Sequence, residues 1–83
     1  MPTIKMYTKE NCSYCIRAKQ LLDAKKLDYQ EIRVDLDPEK FEEMQRLSGR
    51  RTVPQIFIND QAIGGYDDLF ALSQSGELAR LLH

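Results

Sequence analysis

An extended run, Thr3-Ile4-Lys5-Met6-Tyr7, is followed by a stretch with helical spacing and then by a second extended run, Tyr29 to Val34. Strand, helix and strand in this order imply a right-handed crossover and a parallel strand pair. Both cysteines of the chain, in Cys12-Ser13-Tyr14-Cys15, fall where the first strand gives way to the helix. A helix N-terminus carries unpaired N–H groups and a partial positive charge, so it favours a thiolate over a thiol. A free thiol with a pKa near 8.5 is only about 3% ionised at neutral pH, whereas one lowered to ~5 is almost wholly ionised. Two thiols at this junction therefore point to redox chemistry.

The rest of the chain extends the same alternation. Asn11 is the expected cap of a helix over Ser13 to Lys25. Within it Cys15 shares a stripe with Ala18, Leu21, Leu22 and the stem of Lys25, while Cys12 precedes the helix; Cys15 is expected to face the core and Cys12 the solvent. Ile32 and Val34 share one face of the second strand. Asp37-Pro38 opens a second helix, with proline at its tolerated first position and Phe41, Met44 and Leu47 at helical spacing, and Gly49 ends it. Val53 to Ile58 reads as extended, Asn59-Asp60 as a turn and Gln61 to Ile63 as a returning strand, which makes a hairpin. Gly64-Gly65 breaks the chain before a third helix, from Tyr66 or Asp67 to Ser73, and a short helical piece spans Glu77 to Leu82. The expected class is α/β, a four-stranded mixed sheet flanked by helices, and 83 residues suffice for one domain over 1–83.

Composition narrows the setting. Apolar residues at 42% and charged residues at 30% describe an ordinary soluble globule. Met1-Pro2-Thr3-Ile4-Lys5 lacks the regions of a secretory signal, and no run approaches the ~20 apolar residues of a membrane span. A reducing cytoplasm is the expected compartment, and there a cysteine pair is catalytic more often than structural. Other uses of the pair carry less weight. A structural disulfide closing so short a loop contributes only about 2 kcal/mol on the chain-entropy formula. Tetrahedral zinc needs about four ligands, and beyond the pair only His83 is a strong candidate. Two inert buried cysteines are disfavoured by their different helical positions. A net charge of −1 argues against a general nucleic-acid surface. Lys5, Lys9, Arg17, Lys19, Arg50 and Arg51 flank the candidate active segments, while Asp35, Asp37, Glu39, Glu42 and Glu43 crowd the middle of the chain. That arrangement attracts a small anionic substrate locally, although each charge also serves as a solvated face.

Three segments in series carry a resemblance. Cys12-Ser13-Tyr14-Cys15 after the first strand, Thr52-Val53-Pro54 before the third, and Gly64-Gly65-Tyr66-Asp67-Asp68 at the next helix resemble a small bacterial-type dithiol glutaredoxin, with the likeness running from Tyr7-Thr8-Lys9 through Leu72. The resemblance implies a thioredoxin-like fold and a glutathione-dependent oxidoreductase that reduces protein disulfides and glutathione mixed disulfides. It implies glutathione as co-substrate with no tightly bound cofactor, disulfide-containing or glutathionylated proteins as partners, no nucleic acid or membrane, and a monomer. Cys12 corresponds to the nucleophile and Cys15 to the resolving thiol. Family potentials of about −200 to −230 mV make such a pair reducible by the cytosolic glutathione pool.

The resemblance also assigns a glutathione site. The family proline is cis and lies beside the cysteines, which makes it Pro54 here, with Thr52 and the Val53 backbone presented to an extended peptide as to an added strand. Gly65 lets backbone approach a ligand, and N–H groups at Tyr66 and Asp67, with the side chain of Asp67 or Asp68, would take the γ-glutamyl end. Either aspartate serves equally well as a helix cap. Lys9 corresponds to the lysine near the nucleophile, and Tyr14 to the aromatic groove wall. Two positions depart from the family pattern. Phe41 stands where relatives often carry a basic or amide side chain for the glycine carboxylate, leaving Lys40 or Arg17 as substitutes. Ser13 stands where many carry proline, and serine there brings in a second function: a homodimer holding a [2Fe-2S] cluster through Cys12 and bound glutathione. A third, a thioredoxin-class partner fed by a flavoprotein, is disfavoured by the Gly64-to-Asp68 segment and Tyr14.

Overall fold

Alternation along β1 (Ile4–Thr8) sends Ile4 and Met6 to one side of a sheet and Tyr7 to the other, and all three are buried. The computed structural model describes residues 3–82; His83, the further zinc candidate, lies outside the described residues. After β1 come α1 (Ser13–Ala24), β2 (Gln30–Arg33), α2 (Pro38–Ser48), β3 (Gln55–Ile58), β4 (Gln61–Gly64), α3 (Tyr66–Ser75) and α4 (Glu77–Leu81). The strands form one mixed sheet in the order β2-β1-β3-β4, with β1 parallel to β2 and antiparallel to β3, and β4 antiparallel to β3. This is the expected four-stranded mixed sheet flanked by helices. Among the described residues no helix is long and apolar enough to cross a membrane.

The sheet separates two cores. On one side Ile4, Met6, Ile56 and Ile58 pack with Ala18 and Leu22 of α1, Leu69 of α3 and Leu78 of α4. On the other, Tyr7, Val34 and Phe57 pack with Met44 of α2, and Ile32, Phe41 and Val53 close around them. Tyr7 and Phe57 meet edge to face with centroids 5.5 Å apart. The Tyr7 hydroxyl donates to Glu43 at 3.1 Å, and burial, reinforced by that carboxylate, pushes its phenol up to about 12. Leu47, expected on the apolar stripe of α2, is instead 51% exposed. That helix is only 11 residues long, and Met44 and Phe41 already cover the small area that the sheet offers it.

Punctuation follows local chemistry. Asp37 caps α2 by accepting from the Glu39 N–H at 3.0 Å, Pro38 occupies the first turn, and Gly49 closes the helix in the left-handed region at φ 73°. Asn59 and Asp60 both have positive φ, 51° and 66°, as a tight hairpin turn requires. At the end of β1 the fully buried Thr8 donates its hydroxyl to Glu31 at 2.6 Å, and its carbonyl accepts from Val34 N–H at 2.9 Å. These bonds tie β1 to the β2 edge just before the cysteine segment.

Candidate active site

Helix α1 begins on a sulfur. Cys12 is its N-cap, in extended conformation, and its Sγ accepts from the Cys15 backbone N–H at 3.1 Å. Asn11, the expected cap, instead takes the left-handed conformation at φ 57°, which asparagine tolerates better than most residues. Its turn swings Cys12 back over the helix end. The first turn of α1 carries no acidic residue, so the sulfur sits at the positive end of the helix without a carboxylate in that turn to compete with it.

Cys12 and Cys15 are joined as a disulfide, with Cα atoms 5.2 Å apart. Cys15 is 1% exposed, as its helical stripe implies, but Cys12 is also buried, at 8%. The expectation that Cys12 faces open solvent is corrected here. Folding back over the helix end brings its Sγ to 3.9 Å from the Val53 carbonyl oxygen, and the loop before β3 covers it.

That loop is held from beneath. The Val53–Pro54 peptide is cis, as the resemblance implies, and Pro54 is buried. Gln55, 1% exposed, donates its side-chain amide to the Thr52 carbonyl at 2.9 Å and to the Thr52 hydroxyl at 3.3 Å. Sequence reasoning missed Gln55. Its signal was a lone amide in an otherwise apolar buried run, Ile56-Phe57-Ile58, where a polar side chain stays only if bonded.

Two grooves meet at this loop. One, of about 610 Å³, contains Cys12, Ser13, Lys9, Phe41, Asp35 and Arg51. The other, of about 360 Å³, runs past Pro54 to Gly65, Tyr66, Asp67 and Asp68, with Arg50 on its wall. Tyr14, Thr52 and Val53 line both, so the two form one trough passing the disulfide. The sequence-predicted site residues other than Cys15 lie along it: Lys9, Cys12, Tyr14, Thr52 and Val53 in the first part, and Pro54, Gly65, Tyr66, Asp67 and Asp68 in the second. Cys15 lies beneath, in the base of α1.

Charges divide between the two ends. In the first groove Asp35 is engaged by Arg33 through a two-point contact at 2.7 and 2.6 Å, which holds its carboxyl far below the usual carboxylate range. With Asp35 matched, Lys9 and Arg51 leave that end cationic. Lys40 pairs with Glu43 in a different cavity, and Arg17 sits over the Tyr14 ring at 5.3 Å; Lys9 and Arg51 are the cations that share the groove with Phe41. In the second groove the two aspartates differ. Asp68 accepts from the Gly65 N–H at 3.0 Å and from Arg50 at 3.1 Å, whereas Asp67 is exposed and takes part in no ion pair among the described residues.

A thioredoxin-like sheet with a Cys-x-x-Cys pair at the first helix N-terminus and a cis-proline loop against it defines a thiol–disulfide oxidoreductase. Residues 4–63 match the family model described as Glutaredoxin. Glutaredoxin 3 of Escherichia coli strain K12 is 54% identical over 82 residues, covering 99% of this chain and 99% of that protein. A glutaredoxin of Neisseria meningitidis serogroup A is 52% identical over 84 residues, covering 100% of this chain and 99% of that protein. The solution structure of glutaredoxin from Brucella melitensis has a TM-score of 0.84 at 48% identity, covering 96% of this chain and 87% of that one. A crystal structure of a buckwheat glutaredoxin–glutathione complex has a TM-score of 0.89 at 31% identity, covering 98% and 76%. The chain belongs to the glutaredoxin family, whose co-substrate is glutathione.

Proposed function

We propose that the chain uses Cys12 as nucleophile and Cys15 as resolving thiol, with glutathione laid along the trough. The observation that carries this reading is the charge pattern of the trough on either side of Cys12: Lys9 and Arg51 at one end, and the N-terminus of α3 with Asp67 at the other. Extended glutathione presents a carboxylate at its glycine end and an ammonium with a carboxylate at its γ-glutamyl end. The Val53 backbone lies between them, where an extended peptide pairs as an added strand.

In the monothiol route the Cys12 thiolate attacks the glutathionyl sulfur of a protein mixed disulfide. That S–S bond breaks, the protein thiolate leaves and takes a proton, and glutathione remains on Cys12. A second glutathione thiolate attacks the bound glutathionyl sulfur, which returns Cys12 as thiolate and releases glutathione disulfide. In the dithiol route Cys12 attacks a protein disulfide, and the Cys15 thiolate then attacks the Cys12 sulfur. The second protein thiolate leaves, and the Cys12–Cys15 disulfide holds the two oxidising equivalents until two glutathione molecules reduce it. The Cys15 N–H that points at Cys12 Sγ favours the thiolate in both routes.

A monomer acting in the cytoplasm suits this chemistry, because a reducing glutathione pool regenerates the pair. Carriage of a [2Fe-2S] cluster between two copies is not favoured, since the full-length relatives support thiol–disulfide exchange. The test is a glutathione-coupled assay on two substrates, a glutathionylated protein and a protein disulfide. Cys12→Ser is expected to abolish turnover of both, and Cys15→Ser to keep the first and impair the second. Loss of both in a folded Cys15→Ser variant refutes the assignment.

A further inference from the structure

The two aspartates at the start of α3 are chemically unequal, and the difference brings in Arg50. Asp68 Oδ2 accepts from both the Gly65 N–H and Arg50 Nη1. The carboxylate is tucked against the backbone of Gly64, which has φ +121°: a Cβ built there would lie 2.2 Å from Asp68 Oδ2 and 3.1 Å from Arg50 Nη1. Backbone, carboxylate and guanidinium are thus packed as one unit. It joins the loop after α2 to the N-terminus of α3 across 18 residues of sequence.

Arg50 spends one nitrogen on Asp68, and its remaining guanidinium N–H groups have no partner among the described residues. The side chain is 53% exposed and walls the groove at Gly65, Tyr66 and Asp67. We infer that Arg50, positioned by Asp68, binds the α-carboxylate of the γ-glutamyl end, while Asp67 faces the ammonium. This rests on the proposed glutathione reading and divides its γ-glutamyl contacts between the two side chains of Arg50 and Asp67. Asp68 is then a positioning residue, because its carboxylate is already committed on two sides. A guanidinium held by one carboxylate keeps a fixed fork for a second, and this geometry selects a carboxylate over a neutral group.

The experiment compares KM and kcat for glutathione with those for 4-aminobutyryl-cysteinylglycine, the same tripeptide without the α-carboxylate. Arg50→Ala is expected to raise the KM for glutathione about tenfold, the loss of one charge-assisted hydrogen bond, with kcat kept. Its KM for the decarboxylated analogue should stay that of wild type. Asp68→Asn should follow Arg50→Ala in the same selective way, and Arg50→Lys should recover part of the loss. An equal rise for both tripeptides, or no rise for either, overturns the assignment by showing Arg50 to be structural or idle. If Arg50→Ala does not fold, Arg50→Lys and Asp68→Asn carry the same two-substrate comparison. Failure of the wild type to exchange with glutathione at all would instead remove the proposed function itself.

Discussion

The Cys15 backbone N–H is directed at Cys12 Sγ from 3.1 Å, so the last residue of the Cys-x-x-Cys segment caps the sulfur of the first. No acidic side chain in the first turn of α1 competes for the same positive end. In the reduced protein Cys12 is therefore expected to titrate below the ordinary thiol range. Ultraviolet thiolate absorbance against pH, measured on the Cys15→Ser variant, checks this. Replacing Ser13 by Asp places a carboxylate in that first turn, and the titration should then move back up.

Gly64 is the tightest backbone position beside the site. An added Cβ meets Asp68 Oδ2 at 2.2 Å, and φ +121° disfavours any side chain. Gly64→Ala should cost about 2 kcal/mol or more, lowering the melting temperature by roughly 10 °C for a domain of this size. Urea unfolding should show a lower midpoint with an unchanged slope.

Burial separates two leucines. Leu22 is fully buried between α1 and the sheet, whereas Leu36 is 73% exposed. Leu22→Ala is expected to destabilise by about 3 kcal/mol and Leu36→Ala by no more than about 0.5 kcal/mol. Equilibrium denaturation of the two variants reads the contrast directly.

Glu31 supplies the pH dependence. Lys19 and the Thr8 hydroxyl hold its carboxyl below the usual range, against the opposing effect of burial. A depressed folded-state value means that this contribution is fully present above the unfolded value of about 4.3 and fades as pH falls through the folded value. Glu31→Gln should cost less than about 1 kcal/mol at neutral pH, since the pair is partly exposed. The gap from wild type should close in acid, as thermal melts across the acid range would show.

Much of the fold was readable because its causes are local. Period-two and helical spacing, Asp37-Pro38 before α2, Gly49 after it and the Asn59-Asp60 turn all act within a few residues. The crossover placed β1 parallel to β2 and the hairpin placed β3 beside β4, whereas the β1–β3 pairing that joins the two halves came only with the structure. The local reading at Asn11 failed because capping by a sulfur lies outside the usual oxygen acceptors and the positive φ at Asn11 turns Cys12 into place.

Residue types along 83 positions establish a mixed α/β sheet, two thiols at a helix start and the family to which both belong. Contacts across the chain settle which of two adjacent aspartates is already engaged, which cations share a groove with Phe41 and how far Cys12 is covered. Each of these depends on where a segment distant in sequence arrives after folding. Spacing along a chain encodes which face a side chain takes, but not what will come to rest against it.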